Sequence, residues 1–432
     1  MNLEENNFEK YQGEGIYLLI ENKRYIDCAS GTFNLSLGYS EKSIINELKL
    51  QMDRCCHLPS QFTHERSRQV YKQMEPYLPE HIKSFWFRDI IGSTANECAV
   101  RIAQKYTGKF EVLSLFASHH GQSLLTTEIS GNAFRKKNFS NNSSIGLKIP
   151  SYNCANCFYS QTKENCNLEC ALRMEDFIEY ASSGSIAALI IEPVQGNGGN
   201  IVPKDGYFKI VRRICDKYNI LIIADEVQTC FGRTGTFFAS NGFAKDLKPD
   251  IITFAKGAGG IGIPVAGVLM RKELDILEKW EHSTTSGANP LALTAMSATI
   301  NYIEKHNILE NVNKCGNLLK AGLLKLSKKH FAVKNVTGLG LMCAFDLSNR
   351  KFVNKLLEIA YENGLIVRAS RYDFGTAIKV RPPLIVTEEE IHLIIKILDK
   401  SLEQLEKWIH QINKEVKENE SISLQEQMGY KN

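Results

Sequence analysis

Short apolar bursts alternate with helically spaced apolar positions through the middle of this chain. Runs at Phe85–Arg88, Val112–Phe116, Ile186–Ile191, Ile220–Ala224, Ile251–Phe254 and Val265–Met270 read as buried strands. Between them, stretches such as Glu97–Tyr106 and Tyr207–Lys217 place apolar residues on one face of a helix. The alternation predicts an α/β fold, a mostly parallel central sheet covered by helices, forming a large domain over residues 46–290. After Asn289-Pro290 the texture changes. Two long helical patterns, at about 291–306 and 309–330, lead to short strands near Gly338–Asp346 and Gly364–Arg368. A last helix runs from Glu388 to about 412, so 291–412 reads as a smaller α+β domain that residues 1–45 join. Residues 413–432 are polar without an apolar stripe, which predicts a mobile tail.

Composition narrows the class of partner. With 432 residues and 43% apolar content the chain can bury two cores. A net charge of +4 without a basic run argues against nucleic acid as a partner. No apolar run approaches the roughly 18–20 residues of a membrane span. The start, Met1-Asn2-Leu3-Glu4-Glu5-Asn6-Asn7, is acidic and polar, unlike a secretory signal. Twelve cysteines without such a signal predict a reduced, cytoplasmic setting with mostly free thiols.

Four stretches could carry chemistry. Gly92-Ser93-Thr94-Ala95-Asn96-Glu97 lies between a strand and a helix, where small residues let backbone N–H groups approach an anion. By itself it reads first as an ordinary helix N-cap with a Glu in the first turn. Asp225 ends the strand Leu221-Ile222-Ile223-Ala224, where open α/β sheets place ligands; a protonated ring nitrogen would satisfy it, and so would a helix cap. Lys256 follows Ile251-Ile252-Thr253-Phe254 and precedes Gly257, Gly259, Gly260 and Gly262. A lysine partly desolvated there has a lowered pKa and can form a Schiff base with an aldehyde, whereas a solvated loop lysine would not. Ser283-Thr284-Thr285-Ser286-Gly287-Ala288-Asn289-Pro290 offers hydroxyls to a phosphate ahead of a helix.

Taken together and in order, these stretches resemble the class III aminotransferases, fold-type-I enzymes that use pyridoxal 5′-phosphate (PLP). The densest likeness lies in "IIEPVQGNGGNIVP" (190–203), "LIIADEVQTCFGRTG" (221–235), "PDIITFAKGAGGIGIPVAGVLM" (249–270) and "RPPLIVTEEEI" (381–391). The resemblance implies that Lys256 forms the Schiff base and that Asp225 pairs with the pyridine nitrogen. It implies that Gln228 meets the ring hydroxyl, Val227 packs on one ring face, and Gly92 and Ser93 hold the phosphate. Thr285 would reach the phosphate in a neighbouring subunit, which implies a homodimer with shared active sites. Arg381 would receive a substrate carboxylate. The implied activity is ping-pong transfer of an amino group from an amino-acid donor to a keto or aldehyde acceptor. Another PLP outcome (decarboxylation, phosphate elimination or racemisation) and a non-catalytic, metal-stapled scaffold stand as alternatives.

Three departures from the family pattern are informative. Ser118-His119-His120-Gly121 puts His119 where relatives carry an aromatic ring stacked on the cofactor. Val194-Gln195-Gly196-Asn197 places Asn197 where ω-amine enzymes often carry a Glu that neutralises the carboxylate-binding arginine. Without that Glu, either a carboxylate is favoured in both half-reactions or another group gates Arg381. Finally, Cys154, Cys157, Cys166 and Cys170 fall within one insertion, 151–171. Four thiolates could bind a structural Zn²⁺; free thiols or a redox-sensitive pair are the other readings.

Overall fold

A computed structural model of the protein describes residues 10–136, 145–370 and 375–429. Three strands open the chain, β1 (Tyr11–Glu14), β2 (Tyr17–Ile20) and β3 (Lys23–Asp27). The central strands are β4 (Ser84–Asp89), β5 (Glu111–Leu115), β6 (Gly146–Ile149), β7 (Ile186–Ile191), β8 (Leu221–Asp225), β9 (Ile251–Phe254) and β10 (Ala266–Met270). They form a seven-stranded sheet in the order β4-β10-β9-β8-β7-β5-β6. β5 through β9 pair in parallel, and β10 runs antiparallel to both β9 and β4. The predicted strands appear within a residue or so. β6 is the addition, because Gly-Leu-Lys-Ile carries no apolar burst.

Both faces of this sheet are covered, which explains why its strands read as continuous apolar runs. Along β8, Ile222 and Ala224 join one buried cluster while Leu221 and Ile223 join the other. The helix Gly92–Thr107 packs on the second face through Ala95, Cys98, Ala99 and Ile102. The helix Tyr207–Lys217 supplies Phe208, Val211 and Ile214 to the first.

The remaining strands are β11 (Val333–Leu339), β12 (Met342–Leu347), β13 (Leu365–Ile366), β14 (Arg368–Ala369) and β15 (Ala377–Val380). β11-β12-β15-β14 make a separate sheet, and β13 pairs in parallel with β3, tying the chain's start to its C-terminal part. Helices Pro290–Lys305 and Ile308–Lys329 match the two predicted ones. The last helix, Glu388–Gly429, passes the predicted end near 412. Its later residues, rich in Glu, Gln and Lys and free of Pro, sustain a helix by propensity without an apolar stripe.

Candidate active site

A cavity of about 430 Å³ opens at the C-terminal edge of the central sheet. Open α/β sheets bind ligands at this edge, because the loops leaving parallel strands converge there. Asp225 ends β8, Lys256 follows β9 by two residues, and His119 and His120 follow β5; all four line the cavity. Gly92 and Ser93 bring in the start of the helix Gly92–Thr107, whose N-cap residue, Ile91, makes no side-chain cap bond. Its first N–H groups are therefore available to an anion, which favours the anion-site reading of this stretch over the capping one. A Cβ on Gly92 would lie 2.8 Å from a Val227 methyl, so glycine lets the helix end approach the cavity wall.

Asp225 is 4% exposed and heavily partnered. Its Oδ2 lies 2.7 Å from His120 Nδ1 and accepts from Asn96 Nδ2 at 2.9 Å, while Oδ1 accepts from Val227 N–H at 3.1 Å. Burial pushes its carboxyl up, but the His120 hydrogen bond and charge, the Lys256 charge and the Val227 N–H outweigh that and hold it below the ordinary range. No helix follows β8, so Asp225 is not a helix cap. Lys256 is half-buried and takes the left-handed φ of +43°, uncommon for a side-chain-bearing residue and typical of strained functional positions. Burial lowers its ammonium pKa, the charges of Asp225 and Glu192 oppose this, and Arg381 adds to the lowering.

His119 donates its backbone N–H to Glu192 Oε1 at 2.9 Å, and its Nδ1 lies 3.2 Å from Asn132 Nδ2. Burial, then the charges of Lys256, Arg135 and His120, push the imidazole down to about 3. His119 is thus a neutral ring, which suits the stacking position the family resemblance assigns it. Glu192 also accepts from Gly196 N–H at 3.0 Å, and burial with the Asp225 charge pushes it up to about 7. Val227 and Gln228 line the cavity as well. Gln228 turns its amide oxygen to Arg381, accepting from Nη1 at 3.1 Å.

Other predicted residues lie outside the cavity lining. Arg381 stands behind Gln228, with its guanidinium 3.8 Å from the Phe33 ring centroid. Asn197 is half-buried, and its backbone carbonyl accepts from Ser370 Oγ at 2.7 Å. Thr285 is exposed. The cysteine insertion gives the zinc expectation no support: no three of Cys154, Cys157, Cys166 and Cys170 present sulfurs within 4.8 Å of one another. The four thiols are near enough to act on one another electrostatically without converging on one point. Cys166 Sγ accepts from Leu168 N–H at 3.2 Å, and Cys170 sits in the short helix Glu169–Leu172, packed against the core. Burial, with the Cys166 charge adding, pushes the Cys170 thiol up to about 12. Among the described residues the one set within that distance is Asp89, Cys98 and His282, where His282 Nε2 already pairs with both Asp89 oxygens at 3.0 and 3.2 Å.

Three residues that help build the cavity have no role in the sequence expectations: His120, Asn96 and Glu192. Asn96 Oδ1 accepts from Thr253 Oγ1 at 2.6 Å, so this amide links β9, the helix and Asp225. The available signal was weak: an Asn one helical turn into an otherwise apolar face.

Taken together, the cavity and sheet define a fold-type-I transferase site of the kind built around PLP. The residues fit that group: a buried, ionised carboxylate, a lysine, and a helix N-terminus with a hydroxyl face one cavity. The family described as "Aminotransferase class-III" matches residues 3–402, and the chain belongs to it. It is 33% identical to a leucine/methionine racemase of Thermococcus litoralis, over 90% of this chain and 87% of that one. It is 30% identical to an acetylornithine aminotransferase of Caldanaerobacter subterraneus subsp. tengcongensis, over 89% and 92%. Among solved structures, a transaminase from the marine bacterium Virgibacillus superimposes with a TM-score of 0.84 at 27% identity, covering 92% of this chain and 93% of that one. Class III aminotransferases use PLP, and this chain is an enzyme of that class.

Proposed function

We propose that this enzyme moves an amino group from an amino-acid donor to a keto or aldehyde acceptor in a ping-pong cycle. The observation that carries the reading is the buried Asp225, held ionised at the floor of a cavity that Lys256 also lines. When bound, PLP supplies an aldehyde that exchanges amines and a ring that withdraws electrons from Cα. Asp225 would keep the ring nitrogen protonated, with His120 and Asn96 fixing its oxygens. Lys256, its pKa lowered by burial, would take the Cα proton as a base and return it as an acid. Gly92 and Ser93 would hold the phosphate, His119 and Val227 would bracket the ring, and Gln228 would meet its hydroxyl. Arg381 would receive a donor or acceptor carboxylate.

Thr285 is exposed and outside its own chain's cavity, which supports a homodimer in which it serves a second copy's phosphate. All twelve cysteines are free, which supports the reduced cytoplasmic setting. Among the described residues no helix is long and apolar enough to cross a membrane.

The racemase relative gives a second outcome on the same residues: the Cα proton returns to the opposite face and no keto acid forms. One experiment separates the two. The purified, PLP-loaded enzyme is expected to lose its cofactor absorbance band when given an amino acid and to regain it with pyruvate or 2-oxoglutarate. Inversion of the amino acid without keto-acid release would overturn transamination in favour of racemisation.

A further inference from the structure

Gln228 has a second contact besides the cofactor's place, and its meaning rests on the reading of Arg381 as a carboxylate subsite. Arg381 is buried just past the end of β15, with its guanidinium on Phe33, and Arg233 lies 4.6 Å from the same ring. Two buried guanidiniums ordinarily call for carboxylates. Among the described residues no carboxylate pairs with either. Arg233 donates to two backbone carbonyls, those of Leu341 at 3.2 Å and Pro382 at 2.5 Å. Arg381 Nε is buried without a hydrogen-bond partner. Asp27 is the acid whose charge reaches Arg381, but it is otherwise engaged. Its oxygens accept from Ala29 N–H at 2.8 Å, Gly31 N–H at 2.6 Å and the Tyr39 hydroxyl at 2.8 Å. Asn197 makes no hydrogen bond to Arg381 among the described residues.

The group that does reach the guanidinium is the amide oxygen of Gln228, at 3.1 Å from Nη1. Glycine at 196 makes room for it: a Cβ there would lie 2.2 Å from Gln228 Oε1. Gln228 also lines the cavity, so its side chain spans from the cofactor's place to the carboxylate subsite. We propose that Gln228 is the gate of that subsite, its amide oxygen occupying Arg381 when no carboxylate is present and leaving when one arrives. A neutral amide offers one charge-assisted hydrogen bond, whereas a carboxylate offers two and cancels the charge. The incoming carboxylate therefore displaces the amide readily, and the unpaired Nε is the donor it gains. A glutamate gate would hold an ion pair that the substrate must break. The amide gate thus tunes the enzyme toward carboxylate-bearing substrates in both half-reactions, while still giving Arg381 a partner between them.

The test titrates 4-methylpentanoate, a carboxylate with no amine or carbonyl to react, into the full chain by calorimetry, with and without PLP. Gln228→Glu is expected to weaken its binding at least about tenfold, because a fixed anion now competes for Arg381. The same variant should raise KM for amino-acid donors more than it lowers kcat, and raise the relative rate with amines that lack a carboxylate. Gly196→Ala pushes the amide off Arg381 without adding charge, and is expected to leave binding unchanged or tighten it. Arg381→Met tests the underlying subsite and should abolish binding. Gln228→Glu binding as tightly as the unaltered enzyme, or Gly196→Ala weakening binding as Gln228→Glu does, overturns the gate while Arg381→Met still loses binding. Undiminished binding by Arg381→Met overturns the subsite itself.

Discussion

The two ends of the central sheet treat buried charge in opposite ways. At the N-terminal edge of β9, Asp250 is buried and gathers two arginines, with Arg212 Nη1 at 3.0 Å and Arg271 Nε at 3.2 Å. Arg212 has a second carboxylate in Asp216 at 2.7 Å, and Arg271 one in Glu273 at 3.3 Å. Asp250 also accepts from Ile222 N–H at 2.7 Å, stitching β9 to β8. That end is neutralised from within. At the C-terminal edge, Arg381 and Arg233 hydrogen-bond, among the described residues, to amide and carbonyl oxygens and to no carboxylate, His120 Nε2 is buried without a partner, and Lys256 faces a cavity. A fold tolerates uncompensated buried charge at a cost, and keeps it where a ligand supplies the missing counter-charge. The same sheet therefore carries a structural end, where charges close on each other, and a binding end, where they wait for a substrate and cofactor.

Removing one group from each end should break this contrast in opposite directions. Lys256→Ala at the binding end is expected to cut turnover by at least about a thousandfold, since the proposed cycle gives Lys256 the Cα proton to move. Far-UV circular dichroism and the urea midpoint should stay near those of the unaltered protein; measurable turnover near the original rate would refute the role. Asp250→Ala at the structural end takes from two half-buried arginines the buried carboxylate they share, and leaves an unmet Ile222 N–H. Its expected cost is about 3 kcal/mol of stability, seen in the urea midpoint. The rate per folded molecule should not change, because the cavity lies at the far edge. Loss of activity at full stability would show that the two ends are coupled.

Much of the binding end was legible in the sequence, for a physical reason. Strands buried on both faces announce themselves as apolar runs, and a polar residue just past such a run, as with Asp225 and Lys256, stands out. The rest depended on tertiary neighbours. His120 looked like the second of two histidines, and only the fold, which brings the loop after β5 across β7 to the end of β8, shows that its Nδ1 serves Asp225. Gln228 read as a partner for the cofactor's ring, while its contact with Arg381 joins residues 153 apart. The cysteine insertion shows the converse. Its spacing resembled a metal site, yet spacing does not fix where the sulfurs point in a loop with little regular structure.

The smallest predicted effect concerns Glu192, the buried acid that lies between the two behaviours. It follows β7 at the binding edge, yet its oxygens are satisfied by two backbone N–H groups, from His119 and Gly196. Burial, with the Asp225 charge adding, raises its carboxyl to about 7, against about 4.3 in an unfolded chain. The folded protein therefore holds a proton through this window that the unfolded chain releases. Its contribution to stability is fully present below the unfolded pKa and is lost as pH rises toward 7. Glu192→Gln does not titrate, so this part of the pH dependence should vanish. Between pH 5 and 7.5 the urea midpoint of the unaltered protein should fall more steeply than that of the variant, whatever their absolute difference. Parallel slopes would mean that Glu192 is ionised in the folded protein throughout, and would place it with Asp225 among the charges held ready at the site.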